Sequence, residues 1–358
     1  MAWDEDQAGR LEGVLSKAHA NGYLPARRIT VEELYQREPH LGRGATGAVI
    51  IPDEWVICPW STSIAFATEA VDAGVELSLG VGVTEVTRDG DAWLLATTGG
   101  LVRVDWVINA AGLDSDLIDR PVVGHSRFTI APRRGQLIVF DNLARLLLSS
   151  ILLPVPTERT KGVLVAPTVY GNVLLGPTAE DQVDREDTAT TADGMAGLLD
   201  AGRRILPQLV DEEVTATYAG LRAATEHRDY QISVHPGQRY VCAGGIRSTG
   251  LTASLAIAEY VVDQMAESRC SLVEASEEPA IPHMPNLAEG GMRSFQDAEL
   301  ISSDPTFGRI VCFCERVTEG DVRSALASSV PAVDLGGLRR RTRATNGRCR
   351  RRWSPPAL

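Results

Sequence analysis

Residues 240–252 read YVCAGGIRSTGLT and lead into LAIAEYVVDQM, so a short β-type run, a glycine-rich turn and a helix start share one strip. The first backbone N–H groups of a helix have no intrahelical acceptor and sit at the positive end of its dipole. Such a terminus suits a phosphate or the electron-rich edge of an isoalloxazine ring. Gly244, Gly245 and Gly250 would let backbone pass close to a flat ring where a side chain would collide. A turn that only packs strand on helix is the other reading, and the strip by itself leaves both open.

The chain has 358 residues, 44% of them hydrophobic, enough for two domains or one large domain with a small appendage. Its formal charge of -12 argues against a nucleic-acid-binding body, which needs clustered Lys and Arg. No stretch reaches the roughly 20 apolar residues of a membrane span. The opening MAWDEDQAGR is acidic where a signal peptide would be basic and then apolar. A cytoplasmic enzyme is the class this predicts. Six cysteines scattered through a long chain are not a secreted disulfide framework.

Periodicity along the chain predicts a mixed α/β body. Residues 4–20 and 30–37 have helical spacing, with Thr30 as N-cap and Glu33 placed for a capping box. Residues 61–73 predict a helix ending at Gly74, then a strand VELSLG and a hairpin over VTEVTRDGDAWLLATT with its turn at Asp89-Gly90. WVINAAG reads as a buried strand closing on small residues. Strands then recur in FTIAP, GQLIVFD, GVLVAP, GNVLLGP and EVTATYAGL, interrupted by a helix over 190–205. That pattern predicts an antiparallel substrate-type sheet inserted between pieces of a dinucleotide domain. Gly42, Gly44 and Gly47 spell G-x-G-x-x-G, but a helix precedes them and a β-branched run stopped by Pro52 follows. A phosphate loop needs the reverse order, so these are turn glycines.

Several segments together, VINAAGLDSDLI, APRRGQLIVFD, VLLGPTAEDQVDREDTATT, YAGLRAATE and GGIRSTGLTASLAIAEYV, resemble the FAD-dependent oxidoreductases of the D-amino-acid-oxidase superfamily. The branch is that of the anaerobic glycerol-3-phosphate dehydrogenase large subunit and L-2-hydroxyglutarate oxidase. The likeness implies an α/β (α+β) fold in which a Rossmann-like FAD domain, without its first βαβ unit, is interleaved with an antiparallel substrate sheet. Family members open with a strand, a true fingerprint and a helix; this chain begins among the helices that follow, so an N-terminally truncated enzyme with weakened FAD affinity is expected. The expected boundaries are 1–270 for the body, with the substrate sheet at about 120–235 and FAD-domain pieces at about 60–115 and 236–268. A linker over 271–307, rich in Glu, Pro and Ser, and a cysteine-containing helical module over 308–358 complete it.

The resemblance also implies roles. Arg222 matches the arginine that binds a substrate carboxylate or phosphate, and its planar fork suits a bidentate oxyanion contact. Arg247 is placed towards the substrate or the flavin O2 edge. His227 is the candidate base nearest to Arg222 in sequence, although a histidine in a polar loop is more often solvated. Gly244, Gly245, Ile246, Ser248, Gly250, Leu251 and Thr252 form the expected flavin turn, Ala111 and Gly112 a strand end near the cofactor, and Val83 an adenine-side backbone position. The implied reaction is hydride transfer from a substrate C–H to flavin N5, with a base taking the neighbouring proton. Glycerol 3-phosphate leads the candidate substrates, before 2-hydroxyglutarate or an amino acid, and a cofactor-free remnant is the reading outside the enzyme class.

IVCFCERVTEGDVRSAL, with Cys312 and Cys314, and then Cys349 resemble the [2Fe-2S] module of the bacterioferritin-associated-ferredoxin type. The fourth cysteine position is Ser354, so an intact cluster, a three-cysteine zinc site and a vestigial module all stay open. Thr318 should cap a helix in any of these cases. Arginines 339–352 are expected to form a solvated or cluster-screening face. An electron-accepting subunit or a quinone route, with membrane association through that partner, is implied by resemblance alone.

Overall fold

The computed structural model describes residues 1–156, 162–268, 270, 272–273 and 280–347. Helix α1 (Glu5–Ala20) starts at Asp4, whose carboxylate accepts from Gln7 N at 2.8 Å. Strand β1 (Arg27–Ile29) is followed by helix α2 (Val31–Arg37), capped by Thr30 as expected, with Glu33 N donating to its hydroxyl at 3.1 Å. The reciprocal half of the capping box is not made. Glu33 instead takes two bonds from Arg27 and one from Arg37, which hold its carboxyl down at about 2, because guanidinium donors outcompete a backbone amide. The LGRGATG stretch is a loop, as its context required. A Cβ on Gly42 would stand 1.9 Å from Arg204 O, so that glycine serves packing, and β2 (Ala48–Ile50) then pairs antiparallel with β1.

Helix α3 (Pro59–Asp72) follows, with the Cys58 thiol accepting from Ser61 N at 3.2 Å as its cap. The strand expected over VELSLG does not form. No neighbouring edge pairs with it, and Val75, Leu77 and Leu79 are exposed. The hairpin after it is present: β3 (Val83–Asp89) and β4 (Ala92–Thr97) turn at Gly90, whose φ is +61°, and β5 (Gly100–Val104) extends them into an antiparallel meander. WVINAAG contributes only the short β6 (Val107–Asn109). It is an edge strand, and Ile108 is exposed where a buried run was expected.

Helix α4 (Ser115–Val123) leads into the longest sheet. Its strands are β7 (Ala131–Phe140), β8 (Leu164–Pro167), β9 (Val173–Gly176), β10 (Glu180–Asp181) and, after helix α5 (Ala192–Ile205), β11 (Val214–Ala224). All pairings are antiparallel: β11 lies along one edge of β7, β10 and β9 share the other, and β8 is outermost. Phe128 and Ile130, expected to open a strand, are instead buried in an irregular lead-in to β7. Leu198, Ile205, Leu206 and Leu209 from α5 and its exit close over Ile138, Phe140, Val165, Val173 and Leu175. Burying such side chains contributes about 1.5–3 kcal/mol each and forms the main core.

Strands β12 (Gln231–His235) and β13 (Tyr240–Gly244) pair antiparallel, and β13 lies parallel to β6 with Cys242 opposite Asn109. This mixed three-stranded sheet carries helix α6 (Gly250–Glu267). Part of the expected linker is ordered structure: helix α7 (Ala298–Ser303) lies in it, and Glu289 N donates to Val169 O at 2.8 Å. Hairpin β14 (Ile310–Cys312) and β15 (Val317–Thr318), with helices α8 (Glu319–Ala327) and α9 (Leu335–Thr342), end the described chain. Thr318 and Asp321 form a complete capping box on α8. The arginine run is not a uniformly solvated face. Arg341 donates to Val330 O, and the Arg343 side chain is 9% exposed and bonded to Glu315 at 2.6 Å. No helix among the described residues is long and apolar enough to cross a membrane.

Asp116 of α4 receives two bonds from Arg185, at 2.7 and 2.8 Å, and one from Ile130 N. Burial alone would raise its carboxyl; those donors outweigh burial and hold it below its ordinary value. Asp116→Asn should cost about 2 kcal/mol at pH 7, less than a wholly buried pair because Arg185 keeps some exposure. A depressed carboxyl contributes its stability above about pH 4 and loses it as pH falls through the lowered value. Urea denaturation should therefore separate the two proteins at pH 7, and the gap should narrow as pH falls below about 4 and close once it has passed the lowered carboxyl value.

Candidate active site

Because β6 and β13 are parallel and in register, their carboxyl ends open on the same side. Ala111 and Gly112 follow one end and Gly244–Thr252 the other, in the crevice position where open α/β sheets bind ligands. Two features there fit a flat, electron-rich group. Gly112 has φ +57° and open space where a Cβ would stand. At α6, Thr249 makes no side-chain cap, the first backbone bond runs from Ala253 N to Thr249 O, and the amides of Gly250, Leu251 and Thr252 have no acceptor among the described residues.

The glycines of the turn have a packing reason of their own. A Cβ on Gly244 would lie 2.7 Å from the Phe128 ring, one on Gly250 2.8 Å from Ile246, and one on Gly245 3.1 Å from both Gln231 and Thr225. Protein already fills the space each side chain would need. Packing therefore requires these glycines whatever binds alongside.

Arg222 lies on β11 opposite Arg133, with its guanidinium over Gly135. It donates to Thr178 O at 2.5 Å and to Arg133 O and Arg134 O at 3.4 Å, and no carboxylate bonds it among the described residues. Burial and then the neighbouring Arg133 push its pKa below the usual arginine value. Its neighbours are neutralised: Arg133 by Asp181, Arg134 by Glu180 and Asp187.

Arg247 and His227 are brought together. Arg247 donates to Arg228 O at 3.0 Å and to His227 O at 3.5 Å, so the turn before α6 is tied to the loop before β12. The His227 ring is exposed, with Nε2 3.2 Å from Arg127 O and 3.7 Å from Glu226. Val83 opens β3 and is exposed, on the meander that reaches the β13 region through Arg88 and Trp93, both donating to Gln238 O. Ile246 and Ser248 lie in the turn itself.

A buried network behind the strip had no sequence signal, since its two halves, Asn109–Arg127 and Ser233–Tyr240, lie more than 100 residues apart. Asn109 donates to Tyr240 OH at 2.8 Å and Tyr240 OH donates to Asp119 at 3.1 Å. Arg127 forks onto Asp119 and donates to Ser233 at 2.5 Å. Burial raises the Tyr240 phenol strongly, pushes the Cys242 thiol up to about 11 and lowers His235, which Arg127 lowers further. These groups stay neutral at physiological pH and serve as a staple, not as acids or bases.

In the C-terminal module Cys312 is buried, its sulfur accepting from Thr345 N at 3.4 Å, while Cys314 is exposed. Cys349 and Ser354 lie outside the described residues. Among the described residues no group of three or more His, Cys, Asp or Glu could hold a metal ion. Cys312 and Cys314 are the expected cluster ligands that fall within the described residues.

The family model of the FAD dependent oxidoreductases (DAO) matches residues 1–264, and the chain belongs to that family. A glycerol 3-phosphate dehydrogenase of Caloramator mitchellensis is 31% identical over 364 residues, spanning 100% of this chain and 74% of the relative. A glycerol 3-phosphate oxidase of Mycoplasma pneumoniae is also 31% identical, over 73% of this chain and 70% of its own. The solved L-alpha-glycerophosphate oxidase of Mycoplasma pneumoniae with FAD bound superposes with a TM-score of 0.69 at 30% identity, covering 74% of this chain and 71% of that one. The chain is thus a glycerol-3-phosphate-dehydrogenase-like FAD-dependent oxidoreductase.

Gly245 combines φ +63° with two contacts at 3.1 Å. Gly245→Ala should destabilise the chain by about 1–3 kcal/mol, read as a lowered denaturation midpoint at unchanged slope.

Proposed function

We propose that the chain oxidises a small anionic hydroxy compound, glycerol 3-phosphate before others, with FAD held at the carboxyl ends of β6 and β13. The observation that carries the substrate class is Arg222: a partly buried cation whose bonds among the described residues go to backbone carbonyls, beside arginines that already have carboxylate partners. Such a group gains most from an incoming oxyanion, and its fork can meet two oxygens at once. The names of the two 31%-identical relatives favour a phosphate over a carboxylate.

FAD, when bound, supplies the hydride acceptor. Gly250, Leu251 and Thr252 N–H would face its electron-rich edge, with Ala111 and Gly112 beside it. Arg222 would anchor the substrate oxyanion and Arg247 would add positive charge at the turn. His227 is the candidate to take the hydroxyl proton, through Nδ1, since Nε2 already faces Arg127 O. Val83 is kept as an adenine-side position on resemblance alone. Electrons would leave to a partner subunit or a quinone, with the chain acting in the cytoplasm. L-2-Hydroxyglutarate or an amino acid is the second substrate reading, because an arginine receives carboxylate and phosphate alike.

An absorption spectrum after incubation with FAD and gel filtration should retain flavin bands, and anaerobic glycerol 3-phosphate should bleach them faster than L-2-hydroxyglutarate. A colourless product after gel filtration would favour the cofactor-free remnant. Arg222→Lys should lower kcat/KM by about 100-fold, since one point charge replaces a two-pronged contact, with flavin retained. A loss under threefold would remove Arg222 from the site.

A further inference from the structure

Thr249 is the oddest residue of the turn: a β-branched side chain with φ +58°, in the left-handed region such residues avoid. Its conformation sets the start of α6, because its carbonyl accepts the first helical bond, from Ala253 N at 2.9 Å. Its hydroxyl does not cap the helix, and its local conformational preference opposes the geometry observed. Something outside the turn must hold it there.

Tyr230 is placed to do so. Its hydroxyl lies 2.5 Å from Thr249 Oγ1 and donates to Ser248 O at 2.9 Å, while Thr249 Oγ1 also reaches Ser248 O at 2.6 Å. Two hydroxyl protons serve three close oxygen pairs, so whichever two bonds form, the phenol stays tied to the turn. Tyr230 is itself anchored, because the next residue, Gln231, pairs with Gly244 across β12 and β13. Arg247, two residues before Thr249, is bound to the same loop through Arg228 O.

We propose that Tyr230 is a positioning residue for the cofactor turn: its hydroxyl holds Thr249 left-handed, which aims the acceptor-less amides of Gly250, Leu251 and Thr252 at the flavin. The proposal rests on the reading that FAD occupies this turn. The clamp itself is a property of the chain without cofactor. Relaxation of Thr249 towards right-handed or extended φ would swing its carbonyl away from Ala253 N and turn the three amides off their line.

Hydrogen exchange of the Ala253 amide, first without FAD, tests the clamp separately from the flavin reading. Tyr230→Phe should speed that exchange about tenfold, the effect of losing one hydrogen bond, while amides of β7 and β11 exchange at their wild-type rates. With FAD present, the variant should bind about tenfold more weakly. The bound flavin's reduction potential should also fall, as expected where amide donors stabilise negative charge. Glycine adopts φ +58° without help, so Tyr230→Phe combined with Thr249→Gly should recover both the slow exchange and the affinity. Unchanged Ala253 exchange in Tyr230→Phe, or no recovery in the double variant, overturns the clamp. Should the single variant lose structure throughout, recovery in the double variant still decides the matter. Slow Ala253 exchange that depends on Tyr230, in a wild-type chain that binds no FAD, would sustain the clamp's geometry and overturn its purpose together with the flavin reading.

Discussion

Two carboxylates on one short helix, Asp116 and Asp119 of α4, hold the described body in register. Three residues apart, they project from the same helical face, and both are buried. A buried carboxylate is tolerable only when donors surround it. Asp116 draws in Arg185 from the loop after β10 together with the Ile130 amide that leads into β7. Asp119 draws in Arg127 and, through Tyr240 of β13, the mixed three-stranded sheet and Asn109 of β6. The antiparallel sheet and the parallel strand pair are therefore referred to one helix.

That reference brings the site's two halves to one side of the molecule. The Asn109–Tyr240 bond keeps β6 beside β13, so that both carboxyl ends open together. Gly244 lies against Phe128 and Ser115, next to the same network. The turn to α6 is thus fixed from below by packing against glycines, and from the side by the loop carrying His227, Arg228 and Tyr230. Arg222 stands on β11, whose partner β7 follows directly from the Asp116 contact.

The C-terminal module is joined to this body by charge and aromatic contacts. Arg343 lies over the Tyr170 ring at 4.0 Å while bonding Asn172 and Glu315. Tyr170 in turn contacts Cys58 at 2.6 Å and stacks on Trp60, at the start of α3. Burial, and then Cys58, push the Tyr170 phenol far above its ordinary value, so it acts as a neutral spacer. A guanidinium held between a carboxylate and a ring face is geometrically specific. One arginine of a run that looked like a solvated face is therefore an interior contact.

Local signals in the sequence determined local structure. Thr30, Thr191 and Thr318 mark helix starts because a hydroxyl can reach an amide only a few residues away, and Asp89-Gly90 marks the hairpin because its turn needs a positive φ. The order of segments identified the family, and the strand–turn–helix strip was legible because all its parts are neighbours in the chain. Pairing was decided only by tertiary structure. VELSLG has strand composition but no edge to join, β6 is an edge strand with Ile108 exposed and Asn109 buried, and Glu33 turns to arginines instead of its own helix. The bond from Asn109 to Tyr240 and the contact of Tyr230 with Thr249 join residues that are not neighbours in the chain. No propensity or spacing encodes such contacts, because they exist only once the sheets have set which side chains meet.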